Sequence, residues 1–573
     1  MQTLVRYFIL IFSPLLLFQC ARVSSPSGGE KDSLPPVMTN ASPKMNTIFF
    51  DKEEITITFD EFIKLKDITK QLIISPPMDQ DKYKIKPQSS VAKKIKIELL
   101  DSLIPNTTYT FNFGESVMDN NESNLLPFFH YTLSTGAVID SLEIKGVVTD
   151  AYEIQTEPYT SIHLYPIDST YTDSTIFLKK PFYVTSTLDS VIYNFRNLKG
   201  GSYEILAIKD VGSNYVFNQN IDKIGFLEHP ITLPQDSVIN FRLFQEEPNL
   251  FWGRPFFINK RHIGFGYYGT PDPNQIEVLS KVATNFSSLI TRNRETDTLD
   301  FWFKGPALDS LKFGIKEVDT TKVFTIKFKK EIKDSLIIES MFSKIIELRD
   351  TFKIKTNLPI TKVNPDLIKI TNIDTLDVPF SVYLDDNYDR VALEFDLQPN
   401  DHYKIRLSPL ALEDFWGNTH DTIFYQVKTK AISDYGNLNL QLIRSDSDPF
   451  VLELLNKKGE VKGSYDTANE LDYYQFPLLA PGEYLFRYIR DENGNKKWDT
   501  GNYLKKIQPE EVLYSVEPVE LRANWDVNET LRIPDKNTQI LKRTTIIDSL
   551  DPEKKVPRLE AEDEKKIDLF ESQ

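Results

Sequence analysis

The sequence predicts an all-β protein, a series of β-sandwich domains in which a two-domain unit is duplicated. Three observations carry this. Short segments alternate apolar and polar residues with period two, as in Ile55-Thr56-Ile57-Thr58-Phe59, Ile95-Lys96-Ile97-Glu98-Leu99 and Tyr109-Thr110-Phe111-Asn112-Phe113. Each then buries one face and solvates the other, as half-buried antiparallel strands do. Polar turn clusters such as Pro105-Asn106-Thr107-Thr108 and Asp119-Asn120-Asn121-Glu122 separate them. Ordered residues also recur at constant offsets. Leu198, Gly201, Tyr203, Asp210 and Asn214 return 281 positions later as Leu479, Gly482, Tyr484, Asp491 and Asn495. Upstream of each set, Pro105-Asn106, Tyr109, Tyr131 and Thr135 return 294 positions later as Pro399-Asn400, Tyr403, Tyr425 and Thr429.

Composition bounds the rest. At 573 residues, with 40% hydrophobic and 12% aromatic content, the chain can fill several cores. The net charge of −16 disfavours nucleic acid and anionic lipid surfaces as partners, since both would repel it. With one cysteine, disulfide staples and thiolate metal sites are excluded.

Residues 1–19 read as a signal peptide. Arg6 and the amino terminus supply positive charge, and Tyr7 to Phe18 form an apolar run too short to span a bilayer. Leu17-Phe18-Gln19-Cys20 resembles a bacterial lipoprotein processing site. The resemblance implies that Cys20 is lipidated, becomes the first mature residue and is the membrane attachment, at the outer membrane; an uncleaved signal anchor is the alternative. No transmembrane helix is expected in the mature chain. Residues 20–36, polar and rich in Pro, Gly and Ser, form a tether.

Residues 37–136 and 345–429 are the two copies of the first sandwich. The first resembles the bacterial Ig-like domain of S-layer type found in lipoproteins of Bacteroidota. The resemblance rests on Ser42-Pro43, Ile57-Thr58-Phe59-Asp60-Glu61-Phe62, Ile74-Ser75-Pro76-Pro77, Leu103-Ile104-Pro105-Asn106-Thr107-Thr108-Tyr109 and Tyr131-Thr132-Leu133-Ser134-Thr135. It implies a fold and an exported location, with no shared activity. In the second copy Thr356-Asn357-Leu358-Pro359 replaces Phe59-Asp60-Glu61-Phe62. Residues 137–247 and 430–534 resemble prealbumin-like sandwiches, through Gly146-Val147-Val148-Thr149-Asp150-Ala151 and the Gly-x-Tyr strand ending in Asp. An additional β-rich domain is expected at 248–344, with short helical pieces around 274–283 and 339–348. A charged, disordered tail is expected at 535–573.

The sharpest candidate site is the loop Asp491 to Asp499. Asp491, Asn493, Asn495 and Asp499 offer side-chain oxygens at alternate positions, with the carbonyl of Lys497 between, as in the first half of a weak calcium loop. Asn502 stands where a bidentate Glu belongs, which favours the other reading, an Asx-rich hairpin turn. Elsewhere catalysis finds little support. Gly264-Phe265-Gly266-Tyr267-Tyr268-Gly269 is followed by Thr270-Pro271-Asp272-Pro273 and not by a helix, so it is not a dinucleotide site. The six histidines have no ligand spacing, no G-x-S-x-G elbow occurs, and Asp60 and Glu61 point to opposite faces of a strand. The sequence therefore points to a non-enzymatic, lipid-anchored envelope protein that binds or scaffolds protein partners, as a subunit of an outer-membrane complex. The alternative is a glycan- or matrix-binding surface protein using Trp252, Trp416 or Trp498 as stacking platforms.

Overall fold

The computed structural model describes residues 32–535 apart from 236–237, 260, 307, 318–319, 329–334, 468–470 and 472. The signal peptide, Cys20, the tether up to residue 31 and the tail from 536 lie outside the described residues. The chain is nearly all β, and its helical pieces are single turns such as Ile68–Gln71. It divides into two compact units. The first comprises the described residues up to Leu142 together with Arg196–Lys199; the second comprises Glu143–Phe195 and the chain from Gly200 onward.

In the first unit two antiparallel sheets face each other. One orders Met38–Ser42, Glu54–Leu65, Ala92–Leu99 and Tyr83–Lys86; the other orders Ile73–Ser75, Thr108–Asn112 and His130–Ser134. Alternation decides which side chains meet. Ile55, Ile57, Ile95 and Ile97 from one sheet pack with Phe111, Tyr131 and Leu133 from the other, all fully buried. Each such side chain contributes about 1.5–3 kcal/mol by leaving water.

The residues that repeat at offset 294 close the same turn in both copies. Tyr109 Oη accepts the Ile104 N–H at 2.9 Å, and Tyr403 Oη accepts the Gln398 N–H at 2.7 Å. Thr135 Oγ1 accepts the Thr107 N–H and donates to the Ile104 carbonyl, as Thr429 Oγ1 does with Asp401 and Gln398. Asn106 and Asn400, at φ 51° and 56°, take the left-handed conformation the turn requires. Tyrosine hydroxyls that bond back upstream fasten sandwich corners in this way.

The second unit contains four successive packed regions. Between the copies, two sheets enclose Trp252, Phe265, Phe301 and Phe313. The helices expected nearby do not form. Asp272 caps only one 3-10 turn, Pro273–Gln275, and Ile276–Val278 then pairs with Ser310–Lys316. Ile338–Ser340 is a strand paired with Phe352–Thr356. The last region packs Tyr474–Leu479, Gly436–Ile443 and Asp526–Arg532 against a sheet containing Phe450–Asn456 and Gly482–Arg490.

Register carries the 281-residue repeat through this unit and shows where it breaks. Ile208 pairs with Ile224, and Ile489 pairs with Val512; Tyr203 pairs with Ile231, and Tyr484 with Val519. The first members of these pairs are 281 apart (489 − 208), and the second members are 288 apart (512 − 224). The second copy thus carries seven additional residues between its Asp491 loop and its next strand.

Candidate functional site

The Asp491 loop forms a tight network. Asp491, 2% exposed, accepts the N–H of Asn495 on Oδ1 at 3.0 Å and of Lys496 on Oδ2 at 2.8 Å. Asn493 Oδ1 also accepts the Asn495 N–H, and Asn495 Oδ1 accepts the Lys497 N–H at 2.9 Å. The side-chain amides of Asn493 and Asn495 both donate to Asp499 Oδ2. Beneath the loop, Glu510 accepts the N–H of Glu492 and of Asp499.

The first copy follows the same path with fewer oxygens. Asp210 Oδ2 accepts the Tyr215 N–H, and Asn214 Oδ1 accepts the Val216 N–H. Asp222 takes the place of Glu510, accepting Val211 N–H and Asn218 N–H. The left-handed residues also correspond: Ser213 and Tyr215 here, Gly494 and Lys496 in the second copy. Gly212 stands where Asn493 stands, so this path forms without an oxygen at that position. Burial raises the pKa of both Asp222 and Glu510, which the two N–H donors on each oppose. Among the described residues no three His, Cys, Asp or Glu side chains converge as a metal set.

The seven-residue addition has a partner. Tyr503, fully buried, inserts into the core of the first copy, among Tyr165, Ile176, Phe226 and Phe244. Its ring meets Phe226 edge-on at 5.4 Å, and its hydroxyl lies 3.1 Å from Tyr171 Oη and 3.2 Å from Glu204 Oε1. Its backbone N–H donates to the Glu246 carboxylate. Lys506 lies over the Tyr503 ring and pairs with Glu204 at 3.1 Å and Asp173 at 3.3 Å. Burial, and then the neighbouring Tyr171 and Glu204, push the Tyr503 hydroxyl far above its ordinary pKa. Around this insertion, Gln508 donates to the Phe226 carbonyl, Tyr514 donates to the Tyr152 carbonyl, and the Arg487 guanidinium covers the Tyr152 ring. The two copies in this unit are therefore packed on each other, although nearly three hundred residues separate them in sequence.

The tryptophans named as stacking platforms serve packing. Trp252 is 2% exposed. Trp416 donates to the Phe303 carbonyl at 3.0 Å and meets Trp302 edge-on. Trp498 donates to the Glu510 carbonyl, with its ring 4.8 Å from Tyr152. The exposed tryptophan is Trp525, at 51%, with Arg522 over its ring. The histidines stay apart: His163 is buried against Ser161 Oγ at 2.9 Å, and His262 stacks on Trp302 beside Asp300. Asp60 holds the chain entry, accepting the Val37 N–H on Oδ1 and donating its own N–H to the Val37 carbonyl. No described helix is long and apolar enough to cross a membrane.

The bacterial Ig-like domain family matches residues 32–135. No curated protein matches the chain. Solved structures similar to it include the Bacillus anthracis TIE protein, at 10% identity over 88% of this chain and 76% of that one, TM-score 0.14. The S-layer protein rSbsC is similar at 10–11% identity over 85% of this chain and 67% of that one, TM-score 0.15. The BSP domain of a biofilm-associated protein is similar at 7% identity over 82% of this chain and 97% of that one, TM-score 0.14.

Proposed function

We propose that this chain is a non-catalytic protein of the cell envelope, anchored by lipid on Cys20 at the outer membrane, that scaffolds a protein partner there. The observation that supports it best is the packing of Tyr503 and Lys506 into the first copy. Pairing the Tyr503 hydroxyl with Tyr171 and Glu204 while closing the core commits polar groups to rigidity, where an enzyme would leave them facing a cleft. The bacterial Ig-like match, which begins at residue 32 within the last residues of the expected tether, supports an exported setting.

The test is membrane fractionation and gentle solubilisation of the tagged full chain, beside Cys20→Ala. The wild type is expected in the membrane fraction with one partner at fixed stoichiometry, and Cys20→Ala in the soluble fraction without it. Equal membrane partition of the two chains would overturn the lipid anchor. Recovery of the wild type alone would overturn the scaffold.

A further inference from the structure

The outer face of the first sandwich carries a cationic groove in an otherwise acidic chain. The groove, about 560 Å³, lies on the strands Tyr83–Lys86 and Ala92–Leu99 and is walled by the turn that carries Ser89 and Ser90. Four lysines line it, Lys84, Lys86, Lys94 and Lys96, and no carboxylate does. Their placement follows from the strand period. Ile85, Ile95 and Ile97 point into the core, which sends the alternating lysines outward together.

Two features separate this face from an ordinary solvated one. Lys86 and Lys96 are direct cross-strand partners, an arrangement of like charges that costs stability. Each is relieved by a glutamate outside the groove, Lys86 by Glu98 at 3.1 Å and Lys96 by Glu54 at 2.6 Å. Lys84 and Lys94 are exposed, and Glu98, which faces Lys84 across the strands, is paired with Lys86. Lysine on an edge strand protects against strand addition, which accounts for Lys84 and Lys86. It does not account for Lys94 and Lys96, whose strand is flanked on both sides.

We propose that this groove binds an acidic polysaccharide, with carboxylates against Lys84 and Lys94 and sugar hydroxyls against Ser89, Ser90 and Thr56. By register Lys84 stands opposite Glu98, four residues along the strand from Lys94, so the two lysines are about 14 Å apart and an extended chain with charges repeated along it can meet both at once. Nucleic acid is disfavoured because the groove offers no aromatic ring on which a base could stack. This site is independent of the lipid anchor and of any protein partner.

The probe is polygalacturonate, titrated into the purified full chain by calorimetry at several salt concentrations, with dextran and polyphosphate as comparisons. Wild-type protein is expected to bind polygalacturonate and not dextran. The double variant Lys84→Gln/Lys94→Gln is expected to bind at least about tenfold more weakly, with a salt dependence reduced by about two counterions. Both residues are exposed, and a neutral amide sets no like charge against Glu98, which faces Lys84, so thermal unfolding should match wild type. Lys52→Glu/Lys66→Glu, exposed on the same domain but outside the groove, should bind as wild type. Equal loss in both double variants, or no wild-type binding, would overturn the site. Stronger binding of polyphosphate at equal charge would overturn the polysaccharide.

Discussion

Tyr503→Ala should uncouple the two copies in the second unit. The substitution removes a fully buried aromatic ring from a core that belongs to the other copy. Large-to-small aromatic truncations cost about 3–5 kcal/mol. Here the 4%-exposed Glu204 also loses one of its two contacts, keeping Lys506 at 3.1 Å. Tyr503→Phe keeps the ring and loses the hydroxyl contacts to Tyr171, Glu204 and, at 3.5 Å, Asp173, for about 1–2 kcal/mol. A chain of several domains has no single unfolding free energy, so the assay is native-state hydrogen exchange of the Lys223–Phe226 amides, which lie beside the inserted ring. At about 1.4 kcal/mol per factor of ten, protection there should fall by about two to three and a half powers of ten in Tyr503→Ala, and by about one in Tyr503→Phe. Amides of Glu54–Leu65 in the first unit should not change. If Tyr503→Ala lowered protection by less than tenfold, or no more than Tyr503→Phe, the inserted ring would not be what joins the copies.

Three further outcomes are expected. Burial pushes the His163 pKa down from 6.5 to about 3. A depressed folded pKa gives stability that is full above pH 6.5 and lost as pH falls, by about 1.4 kcal/mol per unit. Between pH 6 and 5, above the range of ordinary carboxylates, the opening free energy from hydrogen exchange of the Ser161–Pro166 amides should therefore depend less on pH in His163→Asn than in wild type. Arg490, 1% exposed, is held by Asp446, by Glu511 at 2.8 Å and by the Pro534 carbonyl at 2.7 Å. Arg490→Ala leaves Glu511 without its cation, while Asp446 keeps Arg444 at 3.2 Å, and native-state hydrogen exchange of the Gly482–Arg490 amides should show the last sandwich destabilised by about 3 kcal/mol. Because N–H donors occupy the Asp491, Asn493, Asn495 and Asp499 oxygens, millimolar calcium should leave the melting temperature within about 1 °C of that in chelator.

The legible parts of the fold were those governed by local chemistry. Period-two alternation placed Ile55, Ile57, Ile95 and Ile97 inward because a strand offers only two faces. The repeat at offset 294 was visible because Tyr109 and Thr135 do one job, holding Ile104 and Thr107 in a corner, and few other side chains reach both backbone groups. The helical readings at 274–283 and 339–348 failed because short apolar spacings do not distinguish one turn of helix from a three-residue strand. Pairing of Ile276–Val278 with Ser310–Lys316 decides it, and that partner lies over thirty residues away.

The Tyr503 insertion shows where sequence reading ends. The offset change from 281 to 288 is written in the chain, yet nothing near Tyr503 names Phe226, Glu204 or Glu246 as its surroundings. Those residues read locally as ordinary strand positions of a separate sandwich. Duplication supplies the reason they fit. The two copies share the same loop geometry, with Asp222 and Glu510 holding corresponding N–H groups. Lengthening one copy by seven residues after that anchored loop extends the chain without disturbing its base, so the addition can reach across to the unlengthened copy. Loop extension costs little entropy when its ends are already fixed, about 0.6 kcal/mol per doubling of length. One buried ring outweighs that several times over. A duplicated sandwich can thus acquire a rigid interface by elaborating a single turn, and the sign of it in a sequence is a repeat whose offset jumps just after a conserved-geometry loop.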